Sequence, residues 1–221
     1  MKTYGQYCAV ARSLDLVGDR WVLLIVRELL SQGPSRFTDL RDGLPGIATN
    51  LLASRLKDME ENGLITRVDA PPPVATGLYQ LTERGEQLEP VIAALSDWGL
   101  PTMPIVTEGE SVRGNWLGML GQRRLRDTEP ERGPLTIAID TAEAPVHLVS
   151  RGGEFELRRG RPAAADIRLS GQARLIGGYL AGFLALDEAR RLGLDADGDA
   201  EAFRRLEIPA PASPPIREKQ P

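Results

Sequence analysis

The chain has 221 residues, of which 42% are hydrophobic and 26% are charged, a composition typical of a soluble globular protein with room for one large domain or two smaller ones. Its formal net charge of −4 argues against general binding of nucleic acid through overall positive charge, so a contact with DNA would need a local basic surface. The single cysteine, Cys8, excludes an internal disulfide and a cysteine-based metal cluster.

Hydropathy along the chain predicts a cytoplasmic protein without membrane insertion. No apolar run approaches the roughly 20 residues that span a bilayer. Arg12 and Asp15 interrupt the N-terminal region, where a signal peptide needs a continuous apolar core.

Four helices are predicted before residue 63, from apolar residues that recur at helical spacing. The first covers 8–17, and the second follows Asp19 and ends at the Gly-Pro pair 33–34. A short third helix starts at Ser35, and a GLPG loop leads into a fourth at 48–62. This order of a short helix, a turn and a longer amphipathic helix is typical of a helix-turn-helix.

The fourth predicted helix has a buried stripe and an opposite face suited to DNA. The stripe consists of Ala48, Leu52, Leu56 and Met59. The opposite face is small and polar with one cation, and consists of Thr49, Asn50, Ala53, Ser54 and Lys57. Such a face can approach groove edges and phosphates closely, and the alternative is an ordinary solvated helix face.

Two short strands, at 64–68 and 77–81, are predicted after this helix. The loop between them contains three consecutive prolines and cannot itself pair as sheet. Together with the preceding helices these strands form a mainly α winged helix-turn-helix with a two-stranded wing, which places one helix in the major groove of DNA. Thr82 then caps a long helix, whose apolar stripe consists of Leu88, Val91, Ile92, Leu95 and Trp98. The stripe forms either a dimer surface or a cover for its own domain.

Residues 8–100 contain a series of short motifs. They are Gly18-x-Arg20-Trp21, Arg36-Phe37-x2-Leu40, Gly46-Ile47, Met59-Glu60-x2-Gly63-Leu64-Ile65 and Tyr79-x-Leu81-Thr82. With these motifs the region resembles the HxlR family of winged-helix, MarR-like transcription regulators. The resemblance implies a homodimer that binds a pseudo-palindromic operator in double-stranded DNA, with one recognition helix in each half-site.

The DNA contact is expected to come from Arg36, Thr49, Asn50, Ser54, Arg55, Lys57 and Arg67. Three departures from the family pattern predict that this face has few groups able to bind DNA. Ala48 replaces the usual serine, so a helix cap worth about 1 kcal/mol is missing unless Thr49 substitutes for it. Asn50 stands where a basic residue is frequent, and the wing loop has no arginine or lysine. We therefore expect a lower affinity for DNA, and an affinity that depends less on the salt concentration.

A second hypothesis concerns Cys8 as a sensor of oxidants or electrophiles. Some members of the HxlR family sense oxidants or electrophiles through a cysteine at the matching position, and a thiol at the start of a helix can have a depressed pKa. The alternative is a small buried residue. In this chain Ala9 replaces the proline that follows the cysteine in the family.

A second domain is predicted at 113–207, separated from the first at 1–104 by a linker at 105–112. It is predicted to be α+β, with a largely antiparallel sheet backed by helices. The predicted helices lie at 115–126, 173–186, 187–192 and up to 206, and the strands at 135–141, 145–150, 154–159, 165–170 and 194–196. The tail, 208–221, is rich in proline and predicted to be disordered.

The order of these elements, and the spacing from Ala189 through Gly193 to Gly198-Asp199, resembles the sterol carrier protein (type two) lipid-binding fold over about 113–207. The resemblance implies a site for an apolar ligand. The candidate pocket residues are Trp116, Leu120, Ile137, Ile139, Leu148, Phe155, Leu157, Leu175, Tyr179 and Phe183. An apolar core has the same sequence pattern as an apolar pocket, and the domain could instead be a rigid dimerisation or spacer module.

No catalytic or metal-binding motif accompanies the single histidine, His147, so we expect no enzyme, no metal and no cofactor. The main hypothesis is a homodimeric transcriptional regulator, and more specifically a repressor, whose second domain binds an apolar small-molecule effector. One alternative is a redox-sensing or electrophile-sensing regulator with a passive second domain. Another is a lipid-binding or scaffold protein in which the winged helix makes protein contacts.

Overall fold

A computed structural model of the chain describes residues 3–69, 77–103, 111–141 and 144–210. The chain divides into two compact units between Leu95 and Ser96. This division lies inside a helix and before the predicted linker at 105–112, most of which is outside the described residues, so the linker stays a prediction. No helix in the described ranges is long and apolar enough to cross a membrane.

The N-terminal unit is a winged helix-turn-helix, as predicted. Its elements are α1 (Ala9–Val17), α2 (Val22–Gln32), α3 (Phe37–Asp42), α4 (Thr49–Glu61), β1 (Ile65–Asp69), β2 (Gly77–Leu81), α5 (Glu83–Glu86) and α6 (Glu89–Gly99). Strands β1 and β2 pair antiparallel. Ser35 does not begin α3 as predicted, because its backbone amide and carbonyl pair with those of Tyr79 on β2.

The core of this unit forms where α2, α3 and α4 cross. Ile25, Leu40 and Leu52 are fully or almost fully buried there, together with Leu56 and Met59 from α4. Burial of each side chain of this size contributes about 1.5–3 kcal/mol relative to the exposed state. The predicted buried stripe of α4 is therefore confirmed at Leu52, Leu56 and Met59, while Ala48 lies outside the helix and is exposed.

The helix predicted to run continuously from Thr82 is divided into α5 and α6. The Thr82 hydroxyl accepts a hydrogen bond from the Gly85 amide at 3.1 Å, which confirms the predicted cap. Pro90 explains the break between the two helices. In a continuous helix it would have no N–H to donate to the carbonyl of Glu86, and its ring would clash with that carbonyl.

The C-terminal unit is an α+β fold. Its helices are α7 (Gly114–Arg124), α8 (Ala173–Leu180), α9 (Leu186–Arg191) and α10 (Ala200–Arg204), and its strands are β3 (Arg126–Asp127), β4 (Thr136–Asp140), β5 (Val146–Arg151), β6 (Glu154–Arg159), β7 (Ile167–Ser170), β8 (Asp195–Gly198) and β9 (Leu206–Glu207). In the described residues, five strands form one sheet in the order β6-β5-β4-β7-β8. Only the β4–β7 pair in this sheet is parallel, so the predicted largely antiparallel arrangement is confirmed.

Helix α7 lies directly on this sheet because two of its residues have no side chain. A Cβ atom on Gly118 would collide with Leu157, and one on Gly121 would collide with Leu148. Leu148 and Leu157 are paired neighbours on β5 and β6, so both glycines face the same part of the sheet. The close approach fills the space over these strands with the protein's own side chains.

Several predicted boundaries in this unit are wrong. The helices predicted to end at residues 126 and 206 end at Arg124 and Arg204, where strands β3 and β9 follow. Helix α8 ends at Leu180 and not at residue 186, because Gly182 takes a φ of 77°, in the left-handed region that ends helices. The segment predicted to be disordered begins with Ile208, but this side chain packs against the core. Strand β9 holds Ile208 there by pairing with β3. Residues 211–221 lie outside the described part of the chain.

A buried ion pair connects the ends of the C-terminal unit. Arg205 donates to both carboxylate oxygens of Asp127, through Nε at 3.1 Å and Nη2 at 2.7 Å. The Ser150 hydroxyl donates to the same carboxylate at 2.7 Å. Asp127 and Arg205 are 4% and 8% exposed, so each charge depends on the other for compensation.

Candidate DNA-binding surface

Helix α4 presents one face to solvent because its other face is anchored in the core of the N-terminal unit. Its exposed residues include Thr49, Asn50, Ala53, Ser54 and Lys57. Among the described residues, the ion pair of Lys57 is an exposed one of 3.7 Å with Glu61, which costs little to exchange for a phosphate. The structure therefore brings five of the predicted small and polar residues together on one accessible helix face.

The start of α4 lacks a side-chain cap. Ala48 occupies the N-cap position and makes no side-chain hydrogen bond, as expected from the sequence. The amide groups in the first turn of a helix point outward and carry partial positive charge, which favours an anion near them. Thr49 and Asn50, the first two residues of α4, lie at this end beside those amides.

Arg55 is not on this face, although the sequence predicted it as a DNA contact. Its Nε lies 3.0 Å from a carboxylate oxygen of Asp19, and its Nη1 donates to Asp58 at 2.7 Å. Only 26% of the side chain is exposed. Two carboxylates already neutralise this guanidinium, so we assign Arg55 to the packing of α4 against the turn between α1 and α2.

Arg36 and Arg67, the remaining predicted contacts, line one cleft between the start of α3 and the wing strands. Arg36 is exposed and directly precedes α3. Arg67 is exposed on β1, where its guanidinium lies over the ring of Tyr79 at 4.8 Å from the centroid. The tip of the wing, residues 70–76, lies outside the described residues, so the predicted lack of basic contact there stays a prediction.

The predicted dimerisation stripe of α6 divides into two sets. Leu88, just before the helix, and Ile92 pack against the core of their own unit. Val91, Leu95 and Trp98 are instead 41%, 45% and 79% exposed. Positions 91, 95 and 98 recur at helical spacing, so these three side chains form one apolar stripe on the outside of α6.

Cys8 lies at the N-cap of α1, and its thiol is exposed. The alternative interpretation as a small buried residue is therefore wrong. The exposure follows from the position of Cys8 before the first turn of α1, outside the core.

The candidate pocket residues of the C-terminal unit lie mostly in its packed core. Ile137, Ile139, Leu148, Phe155, Leu175 and Tyr179 are buried, and Leu120 and Leu157 pack against them. Trp116 and Phe183 are half-buried and outside this cluster. Burial raises the pKa of Tyr179 to about 12, with the charge of Arg190 acting in the opposite direction. Core packing accounts for most of these residues without a ligand.

Comparison with known proteins assigns a family to the N-terminal geometry. Residues 16–105 match the family described as HxlR-like helix-turn-helix. The uncharacterised HTH-type transcriptional regulator sll1512 of Synechocystis sp. is 38% identical over 101 residues, which cover 42% of this chain and 72% of that protein. The chain belongs to the HxlR-like helix-turn-helix family.

Two further similarities concern one regulator of Bacillus subtilis. The HTH-type transcriptional regulator YodB is 35% identical over 86 residues, which cover 39% of this HxlR-like chain and 76% of YodB. The solved structure of reduced YodB is 34% identical and covers 42% of this chain and 92% of that chain, with a TM-score of 0.38. The matched relatives are named as transcriptional regulators, in agreement with the family resemblance of the N-terminal region.

The family match ends at residue 105, before α7, the first helix of the α+β fold. The predicted resemblance of residues 113–207 to sterol carrier proteins lies beyond it and stays a prediction. The α+β architecture of the unit is present, but its packed core does not by itself indicate a ligand.

Sequence reasoning missed two residues beside the candidate surface of this HxlR-like protein. Thr38 is exposed on α3 and lines the cleft with Arg36 and Arg67, and Tyr79 holds Arg67 in place. The pairing of Tyr79 with Arg67 depends on the register of the hairpin, which the structure supplies. Cross-strand pairs of this kind interact whenever their side chains share a face of the sheet.

Proposed function

We propose that this HxlR-like protein is a sequence-specific regulator of transcription, acting as a repressor on double-stranded operator DNA in the cytoplasm. The exposed face of α4 is the observation that carries the proposal. It combines small residues, which allow close approach, with Asn50, Ser54 and Lys57, which can bind base edges and phosphates. The wing and α3 flank this helix as in other winged helices.

A gel-shift titration with the DNA upstream of the protein's own gene tests this function. We expect a shift that persists against an excess of unrelated duplex and weakens as salt increases. A shift that unrelated duplex removes completely, or no shift at low salt, would contradict the proposal.

The regulator is proposed to act as a homodimer through apolar side chains on α1 and α6. Val91, Leu95 and Trp98 form the exposed stripe of α6 described above. In and just before α1, three apolar residues are exposed at helical spacing, namely Tyr7, Val10 and Leu14. Exposed apolar patches of this kind are typical of protein–protein contact surfaces. A two-fold dimer would bury them and would match a pseudo-palindromic operator.

Leu95→Glu is expected to convert the dimer into a monomer. The new carboxylate would be buried without a partner, and in a two-fold interface the change occurs twice, so the dimer dissociation constant should rise by about 100-fold or more. Analytical ultracentrifugation measures the change. The matched control is Leu192→Glu, at a similarly exposed leucine in the C-terminal unit. A wild-type protein that is monomeric at micromolar concentration, or a dimer that Leu95→Glu does not weaken, would contradict this proposal.

The C-terminal unit is proposed to bind an apolar small-molecule effector that alters operator affinity. The support is its architecture, in which α7 and α8 cover one face of a five-stranded sheet, as the resemblance to the sterol carrier protein fold implies. Native mass spectrometry of the purified full-length protein tests the proposal. We expect a bound apolar compound that organic solvent extracts and that lowers affinity for the upstream DNA when restored. If the protein neither carries such a compound nor takes one up, the proposal is contradicted and the C-terminal unit is a passive spacer.

A second candidate function uses Cys8 as a sensor of oxidants or electrophiles, and the exposure of its thiol favours it. In that case diamide should weaken binding of the upstream DNA by the wild type but not by Cys8→Ser. Equal responses of the two proteins would exclude the role of Cys8.

A further inference from the structure

A small cleft opens in the N-terminal unit between the start of α3 and the wing strands. It has a volume of about 270 Å³ and is lined by Arg36, Phe37, Thr38, Arg67, Gly77 and Tyr79. Among the described residues, its lining contains two arginines from different segments and no carboxylate. Guanidinium and hydroxyl groups that line one cleft can donate hydrogen bonds to the oxygen atoms of a phosphate.

Arg67 is held in place although it is exposed. Its Nη2 donates to the Tyr79 hydroxyl at 2.6 Å, while its guanidinium lies over the ring of the same residue. The carboxylate of Glu60 competes only weakly, because its oxygen lies 3.8 Å from Nε of Arg67 and both side chains are exposed. An arginine that is already ordered loses less conformational entropy when it binds a ligand.

Tyr79 is itself fixed by the backbone. Its amide donates to the Ser35 carbonyl at 2.8 Å, and the Ser35 amide donates to its carbonyl at 2.9 Å. Since Ser35 directly precedes Arg36, this bridge sets the position of both arginines relative to each other. The Tyr79 hydroxyl accepts from Arg67, and its own proton has no acceptor among the described residues, so it is available to a ligand in the cleft.

We propose that this cleft binds one backbone phosphate of the DNA through Arg36, Thr38 and Arg67. Tyr79 positions Arg67 and donates one further hydrogen bond to the phosphate. The proposal rests on the DNA-binding function proposed above and adds an interaction separate from the exposed face of α4. A protein–phosphate interaction sets the position of the protein on the duplex and reads no sequence, so it should act equally on operator and unrelated DNA.

Tyr79→Phe tests this interaction, because it keeps the ring under Arg67 and removes only the hydroxyl. Binding is measured by fluorescence anisotropy with a labelled mixed-sequence duplex over a series of KCl concentrations. We expect Tyr79→Phe to weaken binding about three- to tenfold at every KCl concentration with an unchanged salt slope, because the charge of the protein stays the same. Arg67→Ala should lower the slope by about 0.9 for each phosphate that the protein no longer neutralises. The effects of the two substitutions should be less than additive when combined.

The matched control for Arg67→Ala is Arg84→Ala, at an exposed arginine on α5 outside the cleft, which should leave the slope unchanged. If Tyr79→Phe fails to fold, Thr38→Val replaces it as the test of the proposal. Thr38 is exposed, and the loss of its hydroxyl should also weaken DNA binding severalfold. Wild-type affinity in the folded Tyr79→Phe protein, or in Thr38→Val when it decides, would overturn the proposal while DNA binding by the wild type stands. A wild type that binds no duplex at low salt would overturn both proposals.

Discussion

Replacing Asn50, Ser54 and Lys57 together by alanine should abolish sequence-selective binding of the upstream DNA. These three residues are the polar groups at the centre of the exposed face of α4. Each interaction with a base edge contributes about 1–3 kcal/mol of discrimination, and in a dimer the substitutions remove these interactions from both half-sites. We therefore expect the affinity for the upstream DNA to fall by a factor of about 100 or more, to the level of unrelated DNA. Gel-shift titration of both duplexes measures the loss.

A matched triple variant separates this effect from a general loss of surface polarity. Glu154, Arg158 and Glu188 are exposed in the C-terminal unit, and their replacement by alanine should leave DNA binding unchanged. Both variants should keep the wild-type thermal midpoint, because neither removes a buried group. Unaltered selectivity in the α4 variant would favour the lipid-carrier or scaffold function, in which the winged helix makes protein contacts.

Asp127→Asn should destabilise the C-terminal unit by about 3–5 kcal/mol. The asparagine keeps the shape of the side chain but leaves the charge of Arg205 buried without compensation. It also directs an amide donor toward the Ser150 hydroxyl or the Arg205 guanidinium, which already donate to this position. Since a domain has only about 5–15 kcal/mol of total stability, the midpoint of thermal unfolding should fall by roughly 10 °C or more. Calorimetry of the full-length protein measures this change.

The control for Asp127→Asn is Glu156→Gln, which removes a carboxylate from the exposed ion pairs with Arg151 and Arg158. Exposed pairs of this kind contribute about 0–1 kcal/mol, so the midpoint should hardly move. In a double variant, Asp127→Leu with Arg205→Met, both buried charges are gone, and much of the stability should return. Equal midpoints for the wild type and Asp127→Asn would contradict the role assigned to the ion pair.

The same ion pair predicts how the stability of the C-terminal unit depends on pH. Burial alone would raise the pKa of Asp127, but hydrogen bonds from Arg205, Ser150 and the Glu129 amide outweigh it and hold the pKa below the ordinary value of 3.8. A carboxyl whose pKa is lower in the folded state stabilises the fold above its unfolded pKa, and this stabilisation is lost as the pH falls through the folded value. Urea unfolding should therefore show a loss of stability below about pH 4, and the loss should be smaller in Asp127→Asn.

The elements of the winged-helix unit were predictable because local patterns determine them. Apolar spacing predicts α4 and its buried stripe, and the capping pattern at Thr82 predicts the start of α5. Pro90 also indicates a break before α6. The apolar stripe continues across this break, however, and therefore favoured the prediction of one continuous helix. In the C-terminal unit, alternating strands separated by turns predicted the antiparallel part of the sheet. The parallel pairing of β4 with β7 joins positions that are distant along the chain, which no local pattern encodes.

The candidate site was predictable only in part. Asn50, Ser54 and Lys57 share an exposed face because helical periodicity alone requires it. Arg55, one position from Ser54, pairs with Asp19 from another part of the chain, and no spacing along α4 predicts this. The same reasoning applies to α6, where burial separates Leu88 and Ile92 from the exposed Val91 and Leu95.

By itself, the sequence predicted most of the helices and strands, because periodicity, capping and turn residues act over a few positions. The motifs along residues 8–100 carried the resemblance to the HxlR family and, with it, the set of residues expected to bind DNA. Only the tertiary structure decided which of those residues are free to do so. It placed Arg55 between two carboxylates, brought Arg67 onto Tyr79 beside Arg36, and exposed Cys8. The physical reason is that ion pairs, ring contacts and burial depend on which distant segments meet in space, and that is settled when the core packs.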